Sequence, residues 1–520
     1  MAKKFNITGN CSAKKHYMAD VSKKLETVYA MVEYGDYFII NRPRQYGKTT
    51  TLFSISDKYI KSADYVVFNI SFEGIGDKVF ETESAFCGSF VRNIANFASI
   101  SLPEVEDWLD ETASSVTTMA ILSKTITRLA EKTSKKLILI IDEVDKSANN
   151  QLFISFLAML RNKYLVQDTF KTFHSIVLAG VHDVKSLKLK LRPDEEQKYN
   201  SPWNIAAEFK VDMNLQVAEI KPMLTDYCQE RGVTMNINAI AEKLFYYTSG
   251  YPFLVSKLCK MIDEDILPER EAQAWTLEDL EVAVQELLAE SNTNFDNLIK
   301  YLENSEELFN YIYALIIEND ARPFNIHNPI VNLAHIYGMI ARENGRTVIH
   351  NRIYREMIAN YMTDKTHKSA ITDHVEYGTG YKNANGTLNM EAVMLGFQAF
   401  MKKEYSKKDR DFLERNGRLV FLAFLKPIIN GSGYDFKEPQ ISDEKRLDVV
   451  ITHLKNKYVA ELKIWRGPQA HERGLQQLHD YLDFQGLPEG FLLIFDHSEI
   501  KNWKSEWTEI NEKKIFAVWV

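Results

Sequence analysis

The chain has 520 residues, 63 Lys and Arg against 71 Asp and Glu, a net charge of −8, and 45% hydrophobic and 12% aromatic residues. That length points to about three or four domains, and the apolar content is enough for packed cores rather than long disordered stretches. The modest negative balance excludes a protein that coats nucleic acid through bulk positive charge, while leaving room for a local basic channel.

Cys11, Cys87, Cys228 and Cys259 form no close pair and no zinc-like spacing, which fits a reducing cytosol. The start, Met-Ala-Lys-Lys-Phe, lacks the apolar stretch of a signal peptide. Apolar runs such as Leu137 to Ile141 are strand-length, so a soluble cytoplasmic protein with no membrane span is expected.

Residues 1–215 alternate strand-like and helix-like stretches. Tyr37 to Ile40, Tyr65 to Ile70, Leu137 to Ile141 and Ser175 to Ala179 are short runs of large apolar residues separated by helical patterns. Such strands imply an α/β core with a parallel sheet covered on both faces. The pattern becomes helical over 216–290, with a stop and restart at Ser249-Gly250-Tyr251-Pro252 and a capped start at Thr276. Residues 291–370 stay mostly helical around a short β-element, Thr347-Val348-Ile349-His350, as a winged-helix-like segment would. The Gly- and Asn-rich stretch 371–386 reads as a linker, and 387–520 as a final α/β domain.

The strand Tyr37 to Ile40 runs through Arg42-Pro43-Arg44-Gln45-Tyr46 into Gly47-Lys48-Thr49-Thr50 at a helix start. A phosphate-binding loop needs this order: strand, turn of backbone N–H groups, Lys for the phosphate oxygens, hydroxyl for Mg²⁺. The usual pattern has a Gly five residues before Gly47, where this chain has Arg42. A second element supports the first: the apolar strand from Leu137 ends in Asp142-Glu143. Asp142 is placed to sit near Mg²⁺ beside Thr49, and Glu143 to polarise an attacking water. A lone Gly-Lys-Thr or a lone acidic strand end would be weak, whereas the ordered pair indicates ATP binding with Mg²⁺.

The run Asn41 to Thr49 resembles the loop of the predicted AAA-ATPase-like family of bacteria, in which an Arg-Pro-Arg variant of the P-loop makes Arg42 a family trait. Tyr199 to Asn204 and Gly250-Tyr251-Pro252-Phe253 also resemble that family and its archaeal ATPase and STAND relatives. The resemblance implies that Gly250 to Phe253 begins a nucleotide-sensing lid helix, and that Asn351-Arg352-Ile353-Tyr354 closes the ATPase half. Arg161 is a candidate arginine finger. His182, the nearby polar residue after the Ser175 strand, is read as structural.

Near the C-terminus, Arg446 to Ile451 and Tyr458 to Trp465 read as a hairpin turning at Lys455-Asn456. The two-residue period puts Glu461 and Lys463 on one face. A turn centred there would bring residue 448 opposite roughly 463, so Asp448, Glu461 and Lys463 converge, with the Leu462 carbonyl beside them. Gln477 and Tyr481, four apart, share a helix face. Charged residues on neighbouring strands are often only a solvated face, but the ordered set resembles the PD-(D/E)XK nuclease superfamily. That resemblance implies Mg²⁺ on Asp448 and Glu461, Lys463 at the attacking water, and Gln477 and Tyr481 bracing the site as in its exonuclease branch. Glu414 resembles the N-terminal helix acid, and Leu492 to Asp496 fits the closing strand.

The expectation is therefore an ATP-hydrolysing P-loop protein fused to a Mg²⁺-dependent nuclease. DNA is the expected partner, RNA and a homo-oligomer stay open, and the family suggests bacterial defence or mobile-element control. The alternative is a nucleotide-operated switch whose nuclease fold binds nucleic acid or a partner without cutting.

Overall fold

The computed structural model describes residues 2–74, 76–144, 151–180, 203, 205–270, 273–290, 292–316, 322–370, 381–383, 385–404, 420–422, 424–425, 428–429, 433–436, 449–453, 456–465, 467–496, 498, 501 and 503–520. The chain divides into two compact units, Met1–Leu308 with Arg322–Met357, and Phe309–Ala321 with Ile358–Val520.

The first unit is built on a four-stranded parallel sheet. Its strands are β1 (Tyr37–Asn41), β2 (Tyr65–Ser71), β3 (Lys136–Asp142) and β4 (Ser175–Gly180), in the order β1-β4-β3-β2. Helices α1 (Ser22–Tyr34) and α2 (Lys48–Ile60) cover one face. The other carries α3 (Glu83–Ser101), α4 (Pro103–Ala113), α5 (Met119–Glu131) and α6 (Gln151–Leu165). Alternation along each strand divides the core: Phe38, Ile40, Val67, Ile138 and Val177 face the first layer, and Tyr37, Ile39, Phe68, Leu139 and Ile176 the second. All four expected strands are present and buried on both faces, which is why they read as unbroken apolar runs.

A helical region follows: α7 (Val217–Arg231), α8 (Ile237–Thr248), α9 (Pro252–Met261) and α10 (Leu277–Ala289). Thr276 caps α10 in a reciprocal box with Asp279. Between α8 and α9 the backbone turns through two left-handed residues, Ser249 and Gly250 (φ 47° and 74°). A Cβ at Gly250 would lie 2.0 Å from the Leu215 carbonyl oxygen, so only glycine fits there. Next come α11 (Thr293–Glu303), α12 (Glu306–Ile316), α13 (Pro329–Ile336), the hairpin β5 (Ile340–Glu343) and β6 (Arg346–Ile349), and α14 (Arg352–Ala370). Asn344-Gly345, both left-handed, make the hairpin turn.

The second unit has a six-stranded mixed sheet in the order β11-β12-β10-β9-β8-β7. These strands are β7 (Gly433–Phe436), β8 (Val449–His453), β9 (Asn456–Ile464), β10 (Glu489–Phe495), β11 (Ser505–Ile510) and β12 (Lys513–Trp519). Strands β7, β8 and β9 form an antiparallel meander, and β10 lies parallel to both β9 and β12. On one face α15 (Met390–Glu404) contributes Val393, Met394, Phe397 and Met401. On the other α16 (Pro468–Gln485) contributes Leu475, Leu478, Tyr481 and Leu482.

Two expectations are corrected here. Val449 pairs with Ala460, and His453 with Asn456. A pairing of 448 with 463 would have put Val449 opposite Leu462, so the register differs by two. The cause is Asn456, a turn-favouring residue by type that here belongs to the ladder. The stretch from Leu492 falls on β10, a strand beside β9 as expected, but it is not the last of the sheet, because β12 pairs along its other side.

Candidate functional site

Residues 42–47 join the end of β1 to the start of α2, and this loop is left-handed at Gln45 (φ 56°) and Gly47 (φ 82°). The left-handed position before the lysine therefore carries the glycine, while Arg42 keeps an ordinary backbone. That is why the chain tolerates an arginine where a glycine is usual. Arg42 turns its guanidinium away from the loop, donating to the Val211 carbonyl at 2.9 Å and lying 5.3 Å from the centre of the Phe209 ring. Burial lowers its pKa. Pro43 packs against Gly338, where a Cβ would come within 2.7 Å of the proline ring.

Lys48, the first residue of α2, is buried and donates to the carbonyls of Arg42 (2.9 Å) and Pro43 (2.8 Å). Thr49 donates its hydroxyl to Asp142 Oδ2 at 3.1 Å, bringing together two residues 93 positions apart. The other Asp142 oxygen accepts the Glu143 N–H at 2.8 Å, and Glu143 is left-handed (φ 55°) at the carboxyl end of β3. Thr50 accepts the Cys11 N–H at 3.0 Å, tying the N-terminal segment to α2. The expected phosphate and metal residues therefore converge at the carboxyl ends of β1 and β3, where parallel sheets hold ligands. Arg161 lies on α6, outside the hydrogen-bonded cluster of described residues around the loop. His182 and Tyr199 to Pro202 fall outside the described residues, as does Asn204.

Behind the loop sits a set of buried residues whose contacts with it sequence reasoning missed. Tyr251 donates its hydroxyl to the Arg44 carbonyl at 2.6 Å and meets the Tyr46 ring edge-on at 4.7 Å. The Tyr46 hydroxyl donates to Asn214 and lies 3.0 Å from His350 Nε2. Asn294 donates to Gln45 Oε1 at 3.0 Å. Burial pushes the Tyr251 phenol up to about 12 and the His350 imidazole down to about 4, so both are neutral near pH 7. The Gly-Tyr-Pro and Asn-Arg-Ile-Tyr stretches were visible as motifs, but their contact with the P-loop was not.

In the second unit Glu461 and Lys463 share the α16 face of β9, as the two-residue period requires. Glu461 is fully buried, and Lys463 Nζ sits 2.7 Å from its carboxylate. Lys463 also donates to Gln477 Oε1 at 3.2 Å, and its stem runs 3.6 Å from the point where a Cβ on Gly474 would lie. Tyr481, one turn after Gln477, is buried in the same layer with the Lys457 ammonium 5.9 Å from its ring centre. The structure thus brings together Glu461, Lys463 and Gln477, with Tyr481 nearby. Asp448 and Glu414 lie outside the described residues. Among the described residues no group of three or more His, Cys, Asp or Glu is placed to hold a metal ion, and no helix is long and apolar enough to cross a membrane.

Structure comparison finds a Walker-type ATPase of Pyrococcus abyssi, with 12% identity and a TM-score of 0.46, covering 68% of this chain and 99% of that one. The RuvB Holliday junction branch migration motor of Thermotoga maritima matches with 14% identity and a TM-score of 0.32, covering 69% and 96%. The ORC2 protein of Aeropyrum pernix has 12% identity and the same score and coverages. No curated protein matches the sequence. The family model described as an AAA-like domain matches residues 10–360, and over that span the chain belongs to the AAA-like domain family.

Proposed function

We propose that the chain binds ATP with Mg²⁺ at the P-loop and hydrolyses it. The observation that carries this reading is the 3.1 Å contact between the Thr49 hydroxyl and the Asp142 carboxylate, with Lys48 one residue away. A hydroxyl and a carboxylate are the hard oxygen donors that suit Mg²⁺, so the residues fit the ion. In this reading Lys48 and the first N–H groups of α2 hold the phosphates, Thr49 and Asp142 hold the metal, and Glu143 orients the attacking water. When bound, Mg²⁺ neutralises charge on the phosphate oxygens. The loop residues Arg42 to Tyr46 shape the cradle, and Thr50 extends it along α2.

For the second unit we infer a phosphodiester-cutting site acting on DNA. Its support is the Glu461–Lys463–Gln477 cluster, in which a cation lies beside a carboxylate on one strand face. Lys463 would stabilise charge developing on a scissile phosphate, and Gln477 would fix its position. Among the described residues the site offers one carboxylate, which is short of a metal shell, and the Leu462 carbonyl is proposed beside it. Asp448 is the proposed second acid. The complete burial of Glu461 against Lys463 favours a second reading, in which this unit binds nucleic acid or a partner without cutting, under control of the ATP state.

The test incubates plasmid, linear and single-stranded DNA with the protein in Mg²⁺, with and without ATP, beside Lys48→Ala and Lys463→Ala. Lys48→Ala is expected to lower ATP turnover roughly a hundredfold or more. Cleavage by the wild type and not by Lys463→Ala supports the nuclease. ATP turnover without cutting of any substrate selects the switch, and absence of ATP binding overturns the first reading.

A further inference from the structure

The buried groups behind the P-loop form one chain of hydrogen bonds whose polarity is set by donor and acceptor counting. The Tyr354 N–H donates to Asn351 Oδ1 at 2.8 Å, which turns the Asn351 amide nitrogen toward His350 Nδ1 at 3.2 Å. An amide nitrogen only donates, so Nδ1 accepts and the ring proton sits on Nε2. Nε2 then donates to the Tyr46 oxygen, whose own proton goes to Asn214. On the other branch the Tyr354 hydroxyl donates to Asn294 Oδ1 at 2.7 Å, and the Asn294 amide nitrogen donates to Gln45. The chain thus leaves the P-loop at Gln45, passes through residues 294, 354, 351 and 350, and returns at Tyr46. Each of its side chains from 294 to 354 is buried.

The entry point matters because Gln45 holds a left-handed backbone that a side chain ordinarily avoids. The Asn294 bond anchors the side chain of that residue. We propose that Asn294, Asn351, His350 and Tyr354 are positioning residues that brace the P-loop turn, so that nucleotide binding and the packing of residues 293–303 and 350–357 are thermodynamically coupled. The coupling rests on the nucleotide reading above, whereas the brace does not. Reciprocity follows: whatever the brace contributes to nucleotide affinity, nucleotide returns as stabilisation of those residues.

The test uses the full chain, wild type beside Tyr354→Phe and Asn294→Asp, followed by amide hydrogen exchange. Tyr354→Phe keeps the ring among its neighbours and deletes one hydroxyl, and Asn294→Asp keeps the acceptor while removing the donor to Gln45. Without added nucleotide, each variant is expected to speed exchange at the amides of 44–48 while leaving β3 unchanged. Adding Mg²⁺ with ADP or a slowly hydrolysed ATP analogue is expected to slow exchange over 293–303 and 350–357 in the wild type and less so in the variants. Their nucleotide Kd is expected to rise roughly five- to tenfold. Loop exchange equal to wild type overturns the brace. Nucleotide bound by the wild type with no change over 293–303 overturns the coupling. If the wild type binds no nucleotide, the coupling falls with the P-loop reading, and the loop exchange alone decides the brace.

Discussion

The two candidate sites are assembled in opposite ways. The P-loop cluster joins residues from widely separated stretches, with contacts spanning 93, 168, 207, 249 and 304 positions. The Glu461 cluster is local: Lys463 is two residues from its carboxylate and 14 from Gln477. A site built from distant parts responds to changes far away in sequence, and its loop conformation is a property of the whole unit. A site built on one strand and the next helix is set by register and by the burial of its own charges. The same kind of substitution should therefore act differently in the two places.

The largest effect is expected from Gly250→Ala, a residue outside the P-loop. Its Cβ would meet the Leu215 carbonyl at 2.0 Å in a left-handed turn, one residue before the tyrosine that bonds Arg44. A loss of about 3 kcal/mol is expected from that overpacking and strain, with nucleotide binding weakened as well. Thermal unfolding and nucleotide titration measure the two parts. Wild-type stability in this variant would break the view of the P-loop as a long-range assembly.

Lysine replacement separates the sites by their electrostatics. Lys48→Met removes a cation whose partners include two neutral backbone carbonyls, and about 1 kcal/mol is expected. Lys463→Met removes the cation 2.7 Å from a fully buried carboxylate, and about 2–3 kcal/mol is expected. The value lies at or below the low end for buried pairs because Lys463 is itself 37% exposed. Denaturant unfolding of both variants compares them directly, and the contrast fails if Lys48→Met is the more destabilised.

Acid should probe the first unit through His350. Burial depresses its pKa from 6.5 to about 4, so the unfolded chain binds a proton more readily than the folded one. The stability this neutral histidine contributes is fully present above about pH 6.5 and is lost as pH falls toward 4. His350→Gln should show a shallower loss between pH 6.5 and 4 than the wild type, though lower stability at pH 7. Around the ring are Tyr46, Tyr251 and Tyr354, which stay neutral over that window, while His335 and Asp212 act on it with opposite signs.

What was legible in the sequence follows the same division. Lys48, Thr49, Asp142 and Glu143 could be placed because a phosphate loop and an acidic strand end are each defined by short spacings on regular elements. The four strands of the parallel sheet were legible for a similar reason: burial on both faces leaves an unbroken apolar run. Asn214, Asn294 and His350 gave no such signal, because a single polar residue in a loop, on a helix or at a strand end does not reveal a partner 168 to 304 positions away. In the second unit the shared face of Glu461 and Lys463 could be read from strand alternation alone. The pairing of β8 with β9 could not, since it depends on where the chain reverses, and the turn preference of Asn456 pointed two residues astray.

The smallest effect is expected at Gln477, and it bears on what its contact with Lys463 contributes. Gln477→Ala deletes one 3.2 Å hydrogen bond to a cation that keeps its carboxylate partner. About 1 kcal/mol or less of stability should be lost, because the ammonium is exposed enough to take water in place of the amide. If Lys463 works on a phosphate, freeing its tip should lower the rate of cleavage more than substrate affinity, since the amide fixes the orientation of the lysine rather than its charge. Rate and affinity falling together would instead make Gln477 a contact residue for the nucleic acid. Equal stability and activity in Gln477→Ala would leave the α16 face as packing alone, and the chemistry of the second unit would then rest on β9 and its neighbouring strand.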